Sequence, residues 1–320
     1  MRHRCKPNVD EHQQYLGQLL WIPGLYGAIG HTLLDDGPQE VRGALLINAL
    51  DLQGQHLWVF NEVRRHTEYF VLPLVVNGGF ENGFQLDPKD LEAAITPKTR
   101  ILLLNSPNNP SGAAIRRDVM EKIAEIAVKN DLIVVSDECY ERFFYEGEHV
   151  SIGSLPNMAE RTLTVCASSK TYSMTGWRVG YLAMPEWVTP HANRTHLFLN
   201  TSPTTFAQYG YMEALRHAEP DVVKMIREYK ERRDLLVDYL KGMKGLEVVV
   251  PEGAFYVFPR IVKTGMTDVE FCSYVLEQSG VAIVPGEAFE MPGFVRLAYC
   301  KSKDYLREAM ESMKKAMEKL

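Results

Sequence analysis

Ala167-Ser168-Ser169-Lys170-Thr171-Tyr172-Ser173-Met174-Thr175-Gly176-Trp177-Arg178-Val179-Gly180-Tyr181 spans the gap between two apolar runs, Thr162–Cys166 and Val179–Met184, that read as buried strands. The loop carries one lysine, one arginine and two glycines at fixed intervals. A lysine at a strand end, flanked by small hydroxyl residues, is held partly out of water. There its amine gives up its charge more readily and becomes a nucleophile toward carbonyl carbon. Arg178 is a permanent cation with a planar fork suited to phosphate. Gly176 and Gly180 let the backbone turn or approach another group closely. The plainer reading is a loop lysine beside a structural arginine.

Upstream of this loop the chain reads as strand, helix, strand. Arg100–Leu104 is the first strand and ends in the turn-rich Asn105–Gly112, whose bonds to Pro107 and Pro110 are candidates for a cis peptide. Asp118–Asn130 carries Val119, Ile123, Ile126 and Ala127 at helical spacing, with Asn130 as a stop. Residues 132–135 form the next strand, followed by Ser136-Asp137-Glu138-Cys139-Tyr140. Such separations make a parallel βαβ unit covered on both faces. Ligands of open parallel sheets bind beyond the carboxyl ends of the strands, and three polar clusters fall at that edge. A carboxylate at a buried strand end, such as Asp137, needs a cationic or hydrogen-bonding partner; capping a helix is the alternative. Glu138, its neighbour along the chain, points elsewhere and is given no role.

Beyond residue 201 the pattern changes to a long charged helix (221–242), strands at 246–250 and 254–258, a helix at 269–278, strands at 281–284 and 295–299, and a last amphipathic helix at 302–320. Leu306, Met310, Met313 and Met317 line one side of that helix and read as core. Arg296 lies within an apolar strand, which is costly unless the charge is paired; a substrate carboxylate or a structural ion pair would serve.

The whole chain has 320 residues, 46% of them hydrophobic, and a formal charge of −6. That supports a large core and more than one domain, and the charge excludes a basic nucleic-acid-binding stripe. Five widely spaced cysteines without metal spacing read as reduced residues of a cytoplasmic protein. No apolar run suits a membrane span or a signal peptide.

The motifs closely resemble those of the fold type I pyridoxal-phosphate enzymes, the class I/II, aspartate-aminotransferase-like family, over residues 80–320. The match implies an α/β fold: a mainly parallel sheet with helices on both faces (residues 1–212), plus a smaller α+β C-terminal domain (213–320). By resemblance Lys170 is the Schiff-base lysine and Arg178 holds the phosphate of pyridoxal 5'-phosphate. Asn109, in the Asn-Pro-x-Gly signature, and Tyr140, in Asp-x-x-Tyr, serve the phenolic oxygen. Asp137 faces the pyridine nitrogen, and Arg296, in the PGxxF…VRL pattern, binds the substrate α-carboxylate. The family implies a homodimer moving an amino group from an L-amino acid, aspartate first among candidates, to a 2-oxo acid such as 2-oxoglutarate. A C–S lyase, or a non-catalytic protein on the same fold, are the alternatives. No metal site is expected. Two departures stand out. Ala167 replaces a phosphate-binding hydroxyl residue, leaving Ser168 or Ser169 to compensate. Residues 1–77 show no phosphate cup; Tyr26–Gly30 and Leu33–Gly37 are its faint echoes.

Overall fold

A computed structural model describes residues 58–61, 79–97 and 99–320. The segments Tyr26–Gly30 and Leu33–Gly37 lie outside the described residues. The main sheet is built from β1 (Trp58–Asn61), β2 (Thr99–Asn105), β3 (Ile133–Asp137), β4 (Thr162–Ala167) and β5 (Gly180–Ala183), in that order. Its centre is parallel, β2 to β3 to β4, while β1 and β5 pair antiparallel at the edges.

Side chains alternate across this sheet, as a pleated strand requires. Leu102, Leu104 and Val134 face one core, where α1 (Pro88–Ala94) and α2 (Arg117–Lys129) pack through Leu91, Val119, Met120, Ile123 and Ala127. Asp87 caps α1 by accepting the Lys89 amide proton at 2.9 Å, and Pro88 occupies the first helical position. Asn130 ends α2 as expected, its side chain donating to the Ile126 carbonyl at 2.8 Å. Ile101, Leu103, Val135 and Leu163 face the other core. That core is completed by the C-terminal elements α6 (Glu219–Lys241), β7 (Tyr256–Val257), α7 (Asp268–Ser279), β10 (Val295–Ala298) and α8 (Lys303–Met317). Leu306, Met310, Met313 and Met317 of α8 are all buried there.

Two helices escaped the sequence reading: α4 (Thr189–Asn200) and α5 (Thr205–His217). Phe198, Phe206 and Tyr209 are exposed on them, so no single buried stripe marks a helical period. The expected strand 254–258 is shorter than its apolar run. Backbone groups of Glu252, Gly253 and Ala254 bond to Tyr145, Gly112 and Phe143 rather than to another strand. Likewise β6 (Leu246–Glu247), β8 (Arg260–Ile261) and β9 (Val284–Pro285) are pairs of residues. Among the described residues no helix is long and apolar enough to cross a membrane, and four cysteines are free thiols.

Candidate active site

The parallel register brings the polar strand ends level. Asn105 lies opposite Asp137, and Asp137 lies opposite Val165, two residues before the end of β4. The chain then enters α3 (Ser168–Thr171), a single turn that carries Lys170.

After β2 the loop is tied to itself and to the C-terminal part of the chain. Asn105 Oδ1 accepts the Asn109 amide proton at 3.1 Å, Asn108 Oδ1 accepts the Ser111 hydroxyl at 2.7 Å, and the Gly253 amide donates to the Gly112 carbonyl. Gly112 has φ +69° and abuts Pro251, so no side chain fits there. Both Ser106-Pro107 and Asn109-Pro110 are cis.

Asn109 and Arg296, 187 positions apart in the chain, meet: Arg296 Nη1 donates to Asn109 Oδ1 at 2.8 Å. Arg296 is 6% exposed and lies between the rings of Tyr256 and Phe289, at 4.7 and 4.6 Å from their centroids. Burial lowers its pKa, and among the described residues no carboxylate pairs with it. Among the described residues its hydrogen-bond partner is the Asn109 amide oxygen and not the structural ion pair weighed from sequence.

Asp137 is buried at the end of β3, where its Oδ1 accepts the Cys139 amide proton at 3.1 Å in a local turn; no helix starts there. Burial pushes its carboxyl up to about 7, against the pull of the Cys139 hydrogen bonds and the charge of Lys170. Tyr140 Oη lies 3.0 Å from Tyr256 Oη, and burial raises its pKa well above the usual range. Glu138 does point away, accepting from the Ser136 and Ser151 hydroxyls and bonding His149, each at 2.9 Å.

Lys170 Nζ lies 5.7 Å from the Tyr140 ring centroid and 5.6 Å from that of Phe255. Burial lowers the pKa of its amine, partly offset by Cys139, Cys300 and Asp137. Arg178 stands exposed with φ +54°, donating to the Thr175 carbonyl at 3.2 Å. Ser168 takes no exposed position: fully buried, it donates its hydroxyl to the Val179 carbonyl at 2.8 Å. It cannot stand in for the hydroxyl that Ala167 lacks. Gly180 permits close backbone approach, since a Cβ there would lie 2.5 Å from the Cys166 carbonyl oxygen. Phe255 and Tyr256 belong to this cluster, although the sequence marks them only as part of the strand at 254–258. Their partners come from distant segments, which local pattern does not reveal.

The donor set suits a ligand with a carbonyl carbon for an amine, a cationic nitrogen for a buried acid and a carboxylate for a buried guanidinium. The profile of the family described as aminotransferase class I and II matches residues 73–313. The chain belongs to that family. It is 46% identical to aromatic-amino-acid aminotransferase 2 of Thermococcus litoralis over 242 residues, 74% of this chain and 62% of that protein. A probable aspartate/prephenate aminotransferase of Aquifex aeolicus is 42% identical over 325 residues, covering 93% and 82% of the two chains. The crystal structure of an aromatic aminotransferase from Pyrococcus horikoshii superposes with a TM-score of 0.72 at 43% identity, over 75% of this chain and 65% of that one. The chain thus spans about three fifths of the length of the first of these relatives. Members of this aminotransferase family use pyridoxal phosphate, which the donor set described above fits. Among the described residues no cluster suited to a metal ion occurs.

Proposed function

We propose that this chain is a pyridoxal-phosphate-dependent aminotransferase. It transfers the amino group of an L-amino acid, aspartate being the first candidate, to a 2-oxo acid such as 2-oxoglutarate, as a cytoplasmic homodimer. Residues 1–212 form the cofactor-holding unit and 213–320 a smaller one. The observation that carries this reading is the desolvated amine of Lys170, beside buried Asp137 at the ends of neighbouring parallel strands.

Bound pyridoxal phosphate supplies an electrophilic carbon and a ring that takes up electron density. Lys170 would hold it covalently, and with its Nζ free would serve as the base that takes a proton at the substrate α-carbon. A buried amine of lowered pKa is suited to that task, because it is unprotonated more of the time. Asp137 would balance the ring nitrogen's positive charge, Asn109 and Tyr140 would address the phenolic oxygen, and Arg178 would hold the phosphate. Arg296 orients the substrate α-carboxylate through its fork. The aromatic walls around Arg296 and Lys170 exclude water and strengthen these charges.

The test is a panel of amino donors against 2-oxoglutarate with added pyridoxal phosphate, with Lys170→Ala as control. Glutamate should form with at least one donor, and Lys170→Ala should abolish turnover and covalent attachment. Borohydride reduction and peptide mapping should place the cofactor on Lys170; labelling at a different lysine sinks the assignment. Release of 2-oxo acid without an acceptor would mark a lyase instead.

A further inference from the structure

Glu141 directly follows Tyr140, and Thr171 directly follows Lys170. The Thr171 hydroxyl donates to Glu141 Oε1 at 2.8 Å, so a side-chain hydrogen bond ties the loop after β3 to the turn after β4. Thr171 is buried, and so is Glu141 Oε2, which has no hydrogen-bond partner among the described residues. Burial raises the Glu141 carboxyl above its ordinary range, opposed by the Thr171 hydroxyl, a backbone amide, His149 and Arg142. A buried carboxyl with half of its acceptor capacity unmet is costly, and such a group calls for an explanation.

The explanation lies in α3. With four residues and no side-chain cap at Ala167, this helix cannot secure itself. Its first residue, Ser168, is anchored to Val179, and its last, Thr171, to Glu141. Lys170 lies between these anchors. The charged or titratable groups around its amine are Asp137, Cys139, Cys300 and Arg178. We propose that Glu141 is a positioning residue: acting through Thr171, it keeps Lys170 Nζ between the Tyr140 and Phe255 rings and so keeps the amine desolvated and reactive. This rests on reading Lys170 as the cofactor-bearing lysine.

The test uses the full chain without added cofactor. Lysines are methylated with formaldehyde and cyanoborohydride across a pH series, and the Lys170 peptide is quantified by mass spectrometry. In the wild type the labelling midpoint of Lys170 should lie below that of exposed lysines in the same digest. Thr171→Val, and independently Thr171→Ala, should raise the midpoint by about one pH unit, slowing labelling below it about tenfold, because a released amine regains hydration. Glu141→Leu should do the same. Thr171→Ser keeps the hydroxyl and should restore the wild-type profile, which a loss of packing alone would not explain. An unchanged midpoint in the folded Thr171 variants, with or without a lower melting temperature, overturns the proposal. An ordinary midpoint already in the wild type overturns instead the reading of Lys170 on which it rests.

Discussion

Asp137 and Arg296 are buried ionisable groups that, among the described residues, have no oppositely charged partner in an ion pair. For Asp137 the consequence is a pH dependence of known sign. Its folded pKa of about 7 lies above the ordinary 3.8 because burial penalises the charge. The stabilisation from holding the proton is complete below pH 4, fades as pH rises and is gone above 7. Without cofactor, Asp137 should therefore cost the fold up to about 4 kcal/mol by neutral pH, at ~1.4 kcal/mol per pKa unit. The difference in melting temperature between Asp137→Asn and wild type should grow in favour of the variant from pH 4 to pH 7; a constant difference would show that the carboxyl is not held neutral. For Arg296 the expectation is kinetic. A lysine replaces the bidentate fork by a point charge, so Arg296→Lys should raise KM and lower kcat/KM roughly ten- to a hundredfold. Unchanged kinetics with lower thermal stability would make Arg296 structural.

At the scale of elements, the turn-bearing glycines divide by what surrounds them. Gly180 pairs with Ala167 across β4 and β5, and an added Cβ meets the Cys166 carbonyl at 2.5 Å. Gly180→Ala should push β5 away and cost about 1–3 kcal/mol. It should also disturb Arg178, two residues upstream, and so weaken cofactor binding. Gly176 has nothing within 4 Å of the added atom. Gly176→Ala should stay within about 0.5 kcal/mol of wild type. Urea unfolding of both variants checks the contrast, and equal costs would refute it. Sequence had marked both glycines alike, because what separates them is the position of a neighbouring strand.

For the molecule as a whole, the expectation concerns how firmly it keeps its cofactor. Arg178 is the proposed phosphate contact, Ala167 brings no hydroxyl, and that of Ser168 is given to Val179. A charge-assisted hydrogen bond is worth about 1.5–3 kcal/mol, so one fewer would weaken binding by roughly one to two orders of magnitude. Activity should then depend on added pyridoxal phosphate and be lost on dialysis. Protein that stays yellow and active through extensive dialysis would show further phosphate contacts from residues 1–77.

Much of this fold and site was legible before any coordinates. The apolar strand runs, the α2 stripe and the three polar strand ends are local patterns, and local chemistry dictates them. Parallel pairing then follows from the βαβ spacing, which is why Asn105, Asp137 and Lys170 arrive at one edge. Tertiary structure alone decided the rest. It placed Arg296 against Asn109 across 187 positions, turned Ser168 inward to Val179, closed the Glu141–Thr171 bond and cut the 254–258 run to two strand residues. Those outcomes depend on which segments pack together, and burial, which raises the pKa of Asp137 and lowers that of Lys170, is a property of that packing rather than of any stretch of chain.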